Sequence, residues 1–116
     1  MSRYVILQHD HPFLHWDFML EAGPALRTWR LASPPSVGVV IEATAIGDHR
    51  IAYLDYEGPL TGNRGAVVRW DFGEFEKMEQ SEQRWVVRLH GMRLSGTATL
   101  ERAADDWTLR FDAETT

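Results

Sequence analysis

Apolar and polar residues alternate in short runs along most of this chain, which is the two-residue period of β-strands. Six runs are clear: residues 3–9, 15–21, 26–31, 84–90, 96–102 and 107–112. In the last run Trp107, Leu109 and Phe111 are expected to face the core. Turn residues recur at intervals of roughly ten positions, which is typical of an all-β sandwich or barrel. We predict a compact barrel of about eight short, mostly antiparallel strands in one domain over residues 1–116, because closure leaves fewer exposed strand edges.

The middle of the chain has a weaker pattern. Residues 37–43 could form a strand or an irregular extended stretch, and residues 43–48 could hold a short turn of helix, the only helix expected. Residues 47–50 read as a polar loop before an apolar segment at 51–56. Residues 65–72 and 74–78 are expected to pair as a hairpin around Asp71, Phe72 and Gly73.

Composition excludes several classes of function. The chain has no cysteine, so disulfides and thiolate metal sites are unavailable and a reducing compartment is expected. The N-terminus lacks a signal-peptide pattern, and no apolar run approaches the roughly 20 residues of a membrane span. These features predict a cytoplasmic protein without a membrane partner. The net charge of −5 disfavours coating of long duplexes, although one nucleic-acid end or a small phosphorylated molecule remains accessible.

The segment 9–21 holds the best candidate chemistry. Side chains two apart in a strand share a face and lie roughly 6–7 Å apart along it, so His15 and Asp17 can converge on a cation. A chain reversal at Pro12 could bring His9 alongside, with His11 as a solvent-facing turn residue. Two histidines and one carboxylate are an arrangement found at catalytic transition metals. From spacing alone, ordinary half-buried histidines are the commoner explanation.

Several separated motifs, in order, resemble the 3′-phosphoesterase domain found at the N-terminus of bacterial DNA ligase D and as free-standing small proteins. The resemblance begins with H-D at 9–10, L-H at 14–15 and D-F-M-L-E at 17–21. It continues with Trp29, Ser36, D-H-x-x-x-Y-x-D-Y-E-G at 48–58, W-D-x-G at 70–73 and R-L-H-G with L-x-G at 88–96. The matches cover almost the whole chain.

The resemblance implies a compact β-barrel phosphoesterase with a divalent metal, manganese first and zinc, cobalt or another transition metal as alternatives. Such enzymes remove a terminal ribonucleotide or phosphate from a DNA 3′ end and leave a 3′-hydroxyl. Carried over by position, His9, His15 and Asp17 are the expected metal ligands, and His49 and Tyr53 the expected residues that act on the phosphate. The implied partners are a DNA or RNA-tipped DNA 3′ end or a small phosphoester, and a separate DNA ligase or polymerase.

The chain departs from the family pattern at the phosphate. Met19 stands where the family has a phosphate-contacting arginine, and a thioether cannot replace a guanidinium fork. A weakened phosphate grip is therefore expected. The candidates to replace the lost cation are Arg30, Arg64 and Arg69. Asp10 is a candidate to orient His9, or else a turn residue.

Three functions remain open from the sequence. The first is a metal-dependent phosphoesterase. The second is a barrel-shaped binding module for nucleic-acid ends or a repair protein, which has little or no turnover. The third is a different metal enzyme that uses the same barrel.

Overall fold

Nine β-strands and one short 3₁₀ helix, Ile51–Leu54, make up the computed structural model, which describes residues 1–114. The strands are β1 Ser2–His9, β2 His15–Ala22, β3 Ala25–Leu31, β4 Val40–Arg50, β5 Gly58–Pro59, β6 Ala66–Gln80, β7 Arg84–Gly91, β8 Ser95–Ala103 and β9 Asp106–Ala113.

Eight of these strands close into an antiparallel barrel. They pair in the order β1-β2-β3-β4-β9-β8-β7-β6, and β6 pairs back with β1. The two-residue β5 pairs with the start of β6. The all-β barrel of about eight strands predicted from the alternating pattern is confirmed. Within residues 1–114, no helix is long and apolar enough to cross a membrane.

Strand β4 runs further than expected. The polar segment at 47–50 was expected to be a loop, and a helical turn was expected at 43–48, but both lie within β4. The reason is pairing with β3, in which Leu26 lies opposite His49 and an irregularity between Leu26 and Thr28 absorbs the change of register. The helix comes later, at Ile51–Leu54, where an apolar segment was expected.

The hairpin expected around residues 71–73 is also wrong. Strand β6 continues without interruption from Ala66 to Gln80. Gly73 serves close strand packing, because a Cβ atom there would lie 2.1 Å from the backbone oxygen of His90. Gly73, which is typical of a turn, here allows β6 and β7 to approach each other closely.

The barrel interior is filled by large side chains. Phe18 and Leu20 of β2 pack there with Trp29, whose ring lies 5.8 Å from that of Trp85 and 5.4 Å from that of Trp107 in edge-to-face geometry. The inward orientation expected for Trp107, Leu109 and Phe111 is confirmed, since all three are buried.

A second apolar cluster lies on the other face of β1 and β2. Val5, Leu7 and Met19 are buried there under Leu54 of the 3₁₀ helix, and Tyr53 and Leu60 pack at its border. The chain from residue 51 to residue 60 thus covers part of the outer barrel wall. Strand β2 therefore lies between two apolar layers, the barrel interior on one face and this second cluster on the other.

Candidate metal and active site

His9, His15 and Asp17 come together where the first two strands meet. His9 ends β1 and lies directly opposite His15, the first residue of β2, and Asp17 follows two residues later on the same face. One ligand atom from each residue lies within 4.8 Å of the other two. His15 and Asp17 are almost fully buried, at 2% and 4% exposure.

Backbone carbonyl groups determine which ring nitrogens carry protons. The carbonyl oxygen of Phe13 lies 2.9 Å from His15 Nδ1, and that of Arg64 lies 2.7 Å from His9 Nε2. A carbonyl can only accept, so both of these nitrogens donate. The opposite nitrogens, His15 Nε2 and His9 Nδ1, are left with the lone pairs that a metal requires.

The buried polar atoms of this cluster fit a cation. His15 Nε2 faces Asp17 Oδ2 at 3.3 Å, and a lone pair against a carboxylate oxygen is repulsive unless a cation or proton lies between them. Asp17 Oδ1 lies 3.6 Å from Arg30 Nε, beyond hydrogen-bond distance. Within residues 1–114, His15 Nε2, Asp17 Oδ1 and Arg30 Nε have no hydrogen-bond partner. The donor set and these unsatisfied atoms together suit a transition metal.

A cavity of about 260 Å³ opens beside the cluster. Its wall includes His9, Asp17, Met19, His49 and Tyr53. Two of the candidate metal ligands, His9 and Asp17, therefore line the same space as the candidate phosphate-acting pair, and His15 lies outside this lining.

His49 and Tyr53 converge because β4 ends between them. His49 is the second-last residue of β4, which ends at Arg50, and Tyr53 lies in the 3₁₀ helix that follows. Their ring centroids are 5.7 Å apart. The carbonyl oxygen of Gly47 lies 2.9 Å from His49 Nδ1, so this nitrogen donates and Nε2 is available to a ligand.

The three arginine candidates are placed differently. Arg30 and Arg64 line the cavity. Arg64 is held by its own turn, where its Nε donates to the carbonyl oxygen of Thr61 at 2.8 Å. Arg69 lies elsewhere, because its guanidinium sits 3.8 Å from the ring centroid of Phe72 and donates to the Leu54 carbonyl oxygen at 3.3 Å.

Met19 and Asp10 both make contacts that stabilise the fold around the site. Met19 is 1% exposed and belongs to the outer apolar cluster, while its side chain also reaches the cavity wall. Asp10 Oδ1 accepts from the backbone N–H of Ala66 at 2.8 Å. Asp10 therefore anchors the chain beside Arg64, whose carbonyl group holds His9.

Three further residues on the cavity wall were not among the predicted site residues. His11 is exposed in the turn after β1, as expected, yet it also lines the cavity. Leu60 and Val67 line it too, and an isolated aliphatic residue gives no sequence indication of a site. Their position depends on how residues 51–67 fold over the barrel wall.

The W-D-x-G motif has a packing role in the structure. Asp71 is fully buried and accepts from the Tyr4 hydroxyl at 2.6 Å and from the backbone N–H groups of Arg93 and Leu94. A Cβ atom on Gly91 would lie 1.9 Å from the Tyr4 hydroxyl oxygen. Burial and the hydrogen bond to Asp71 raise the pKa of Tyr4 well above its usual range.

Fold and site together define a class: a small closed β-barrel with two histidines and a carboxylate gathered on its wall. Residues 7–102 match the model of the DNA ligase D 3′-phosphoesterase domain, and the chain belongs to that family. All the candidate site residues lie within the matched range.

Curated relatives agree with this assignment. The chain is 31% identical over 88 residues to the multifunctional non-homologous end joining protein LigD of Pseudomonas aeruginosa, covering 72% of this chain and 10% of that protein. It is 33% identical over 114 residues to the multifunctional non-homologous end joining DNA repair protein LigD of Mycobacterium tuberculosis, covering 90% of this chain and 15% of that protein. The chain thus spans only a small part of the length of these relatives.

Proposed function

We propose that this protein is a divalent-metal-dependent phosphoesterase that removes a terminal ribonucleotide or phosphate from a DNA 3′ end and leaves a 3′-hydroxyl. The observation that carries the proposal is the convergence of His9, His15 and Asp17, because two of the three, His9 and Asp17, line the cavity that His49 and Tyr53 also line. Family membership supplies the reaction class.

The proposed metal ligands are His9, His15 and Asp17. Manganese is the proposed ion, and zinc, cobalt or another transition metal would also suit two imidazoles and one carboxylate. When bound, the metal supplies a Lewis acid that polarises a phosphoryl oxygen and lowers the pKa of a coordinated water. The carbonyl oxygens of Arg64 and Phe13 hold the two imidazoles in the tautomers that this role needs.

The phosphate is proposed to lie between this cluster and the His49–Tyr53 pair. Because His49 Nδ1 donates to the Gly47 carbonyl oxygen, Nε2 of the neutral ring is an acceptor, and it donates a hydrogen bond or a proton to a phosphate or leaving-group oxygen when the ring is in its imidazolium form. Arg30 and Arg64 line the same space and supply positive charge. Because Met19 is an apolar side chain in this wall, we propose that the grip on the phosphate is weaker than an additional arginine would make it.

The test is an assay of 3′-phosphate and 3′-ribonucleotide primer-template ends with manganese, zinc and cobalt. We expect manganese-stimulated product formation by the wild type and at least a hundredfold loss in His15→Ala. His90→Ala is the matched control, because His90 is partly exposed and its imidazole pairs with Glu76 on the surface. Equal rates for His15→Ala and the wild type would contradict the proposal.

The buried Met19 favours one alternative function, a binding module for nucleic-acid ends or for a repair protein with little or no turnover. In that case the assay would show binding of ends but no product with any metal. If product forms, the 3′-hydroxyl end is the substrate that a DNA ligase or polymerase requires, and we propose such an enzyme as the working partner.

A further inference from the structure

A second cavity, of about 200 Å³, lies against the first. Tyr53, Leu60 and Arg64 line both cavities, so the two spaces share a wall. The other residues that shape the second cavity include Arg50 and Tyr56. No candidate catalytic role proposed above uses Arg50 or Tyr56.

The lining of this second cavity suits a flat heteroaromatic group. The rings of Tyr53 and Tyr56 stand at 87° to each other with centroids 6.1 Å apart, and together they form a corner. The guanidinium of Arg50 lies 5.9 Å from the Tyr53 ring centroid. Aromatic rings and arginine are the side chains on which nucleobases stack, and Leu60 adds an apolar surface beside them.

Size and position restrict the ligand further. A volume of about 200 Å³ is below the roughly 300–1,000 Å³ of pockets that hold drug-sized molecules, so it suits a single base with its sugar. A phosphate in the first cavity would place the group esterified to it next to the shared wall. Arg64 lies on that wall, held by Thr61 through its Nε and Nη2 atoms.

We propose that the second cavity is a nucleoside subsite that binds the base of the nucleotide carrying the scissile phosphate, by stacking on the Tyr53–Tyr56 corner. This inference rests on the proposed function and names its substrate more closely: a nucleoside phosphate, in preference to a bare phosphoester. Stacking tolerates any base, so the subsite selects for the presence of a base.

The experiment compares two single-stranded DNA oligonucleotides with a 3′-phosphate, one with a normal terminal adenosine and one with an abasic terminal sugar. Competition binding followed by fluorescence anisotropy in EDTA measures affinity without turnover, and phosphate release with manganese measures kcat/KM. We expect the wild type to favour the end with the base by about tenfold in both measurements, the size of one stacking contact.

Two variants at one position separate stacking from a structural role. Tyr56→Leu removes the ring and is expected to reduce the preference to within twofold, with the affinity for the abasic end unchanged. Tyr56→Phe keeps the ring but loses the hydroxyl that donates to the Pro59 carbonyl oxygen, and it is expected to keep the tenfold preference. Equal loss in both variants, or no preference in the wild type, would overturn the subsite.

The two measurements also separate this inference from the proposed activity. Phosphate release without a preference for the base would contradict the subsite and leave the phosphoesterase standing. A preference in binding without any phosphate release would support the subsite and contradict the activity. Adenosine 3′-monophosphate as a competitor distinguishes the source of the nucleoside: the oligonucleotide binds more tightly if a DNA end is the ligand, and equally if a free nucleotide is.

Discussion

The imidazole of His15 makes the most direct case for a bound cation. One of its nitrogens donates to the Phe13 carbonyl oxygen, and the other points at the Asp17 carboxylate in a buried site. An unsatisfied buried polar atom costs about 1–3 kcal/mol. The fold leaves His15 Nε2 and Asp17 Oδ1 without hydrogen-bond partners, with Asp17 Oδ2 3.3 Å from His15 Nε2, and a cation held by both side chains would satisfy them.

This arrangement predicts that the metal-free protein is strained at Asp17. In Asp17→Asn an amide of the same shape can donate to His15 Nε2, so we expect the free energy of unfolding in EDTA at pH 8 to rise by about 1 kcal/mol. Urea denaturation measures this change. The same variant should lose manganese-dependent activity. A lower stability of Asp17→Asn in EDTA would show that the carboxylate is already satisfied in the metal-free fold.

Met19 provides the second test at the scale of single residues. In Met19→Arg the longer side chain would cross the outer apolar cluster and reach the cavity beside Asp17. We expect a loss of about 1–3 kcal/mol in stability from overpacking, with at least a tenfold gain in kcat/KM on 3′-phosphate ends.

The matched control for that variant is Met92→Arg. Met92 is 75% exposed and lies outside the cavity wall, so the same added charge should leave kcat/KM unchanged. A folded Met19→Arg protein with no gain would mean that a missing cation at this position does not limit phosphate binding.

Strands β1 and β6 are joined by a buried hydrogen bond whose behaviour depends on pH. The Tyr4 hydroxyl donates to Asp71, and its pKa is raised by burial and by that bond. In the unfolded chain this phenol ionises near pH 10, whereas in the folded chain it stays protonated. Above about pH 10 the unfolded state therefore binds fewer protons than the folded state, and stability falls as pH rises.

We expect this contribution to reach about 1.4 kcal/mol per pH unit above pH 10 and to vanish in Tyr4→Phe. Denaturation at pH 9 and pH 11 measures it as the difference between the two proteins. An equal fall in the wild type and in Tyr4→Phe would show that other groups control alkaline unfolding.

Strands with a clear alternation of apolar and polar residues could be predicted from the sequence. Strand limits that depend on pairing with a neighbouring strand could not. The alternation of Phe18 and Leu20 with Asp17 and Met19 is visible in the sequence, and so is the close placement of His15 and Asp17. The continuation of β4 through His49 depends on its partner β3 and on an irregularity there, which no local pattern reveals. Gly73 looks like a turn residue because the sequence does not show the strand that approaches it.

At the scale of the whole molecule, the site depends on a segment that leaves the barrel and returns. Residues 51–60 cover the outer wall of β1 and β2, bring Tyr53 close to His49 and place Leu60 between the two cavities. Arg3 pairs with Asp55 in the middle of this segment, and the hydrogen-bonded guanidinium holds the pKa of that exposed carboxyl below its usual value. The cavities could not be predicted from sequence because they lie between this segment and the barrel.

Local positive charge also emerges only in the folded chain. The protein carries a net charge of −5, yet Arg30, Arg50 and Arg64 all line one or other of the two adjoining cavities. These cavities can therefore attract an anionic group locally, even though the net charge of the protein is negative.

The central claim is that His9, His15 and Asp17 hold one divalent ion, and titration with manganese followed by electron paramagnetic resonance tests it without reference to any substrate. The wild type and His90→Ala should each remove one equivalent of free manganese from solution, whereas His15→Ala should remove none. If His15→Ala takes up manganese as tightly as the wild type does, the ion is held elsewhere or not specifically, and the account of the site is wrong.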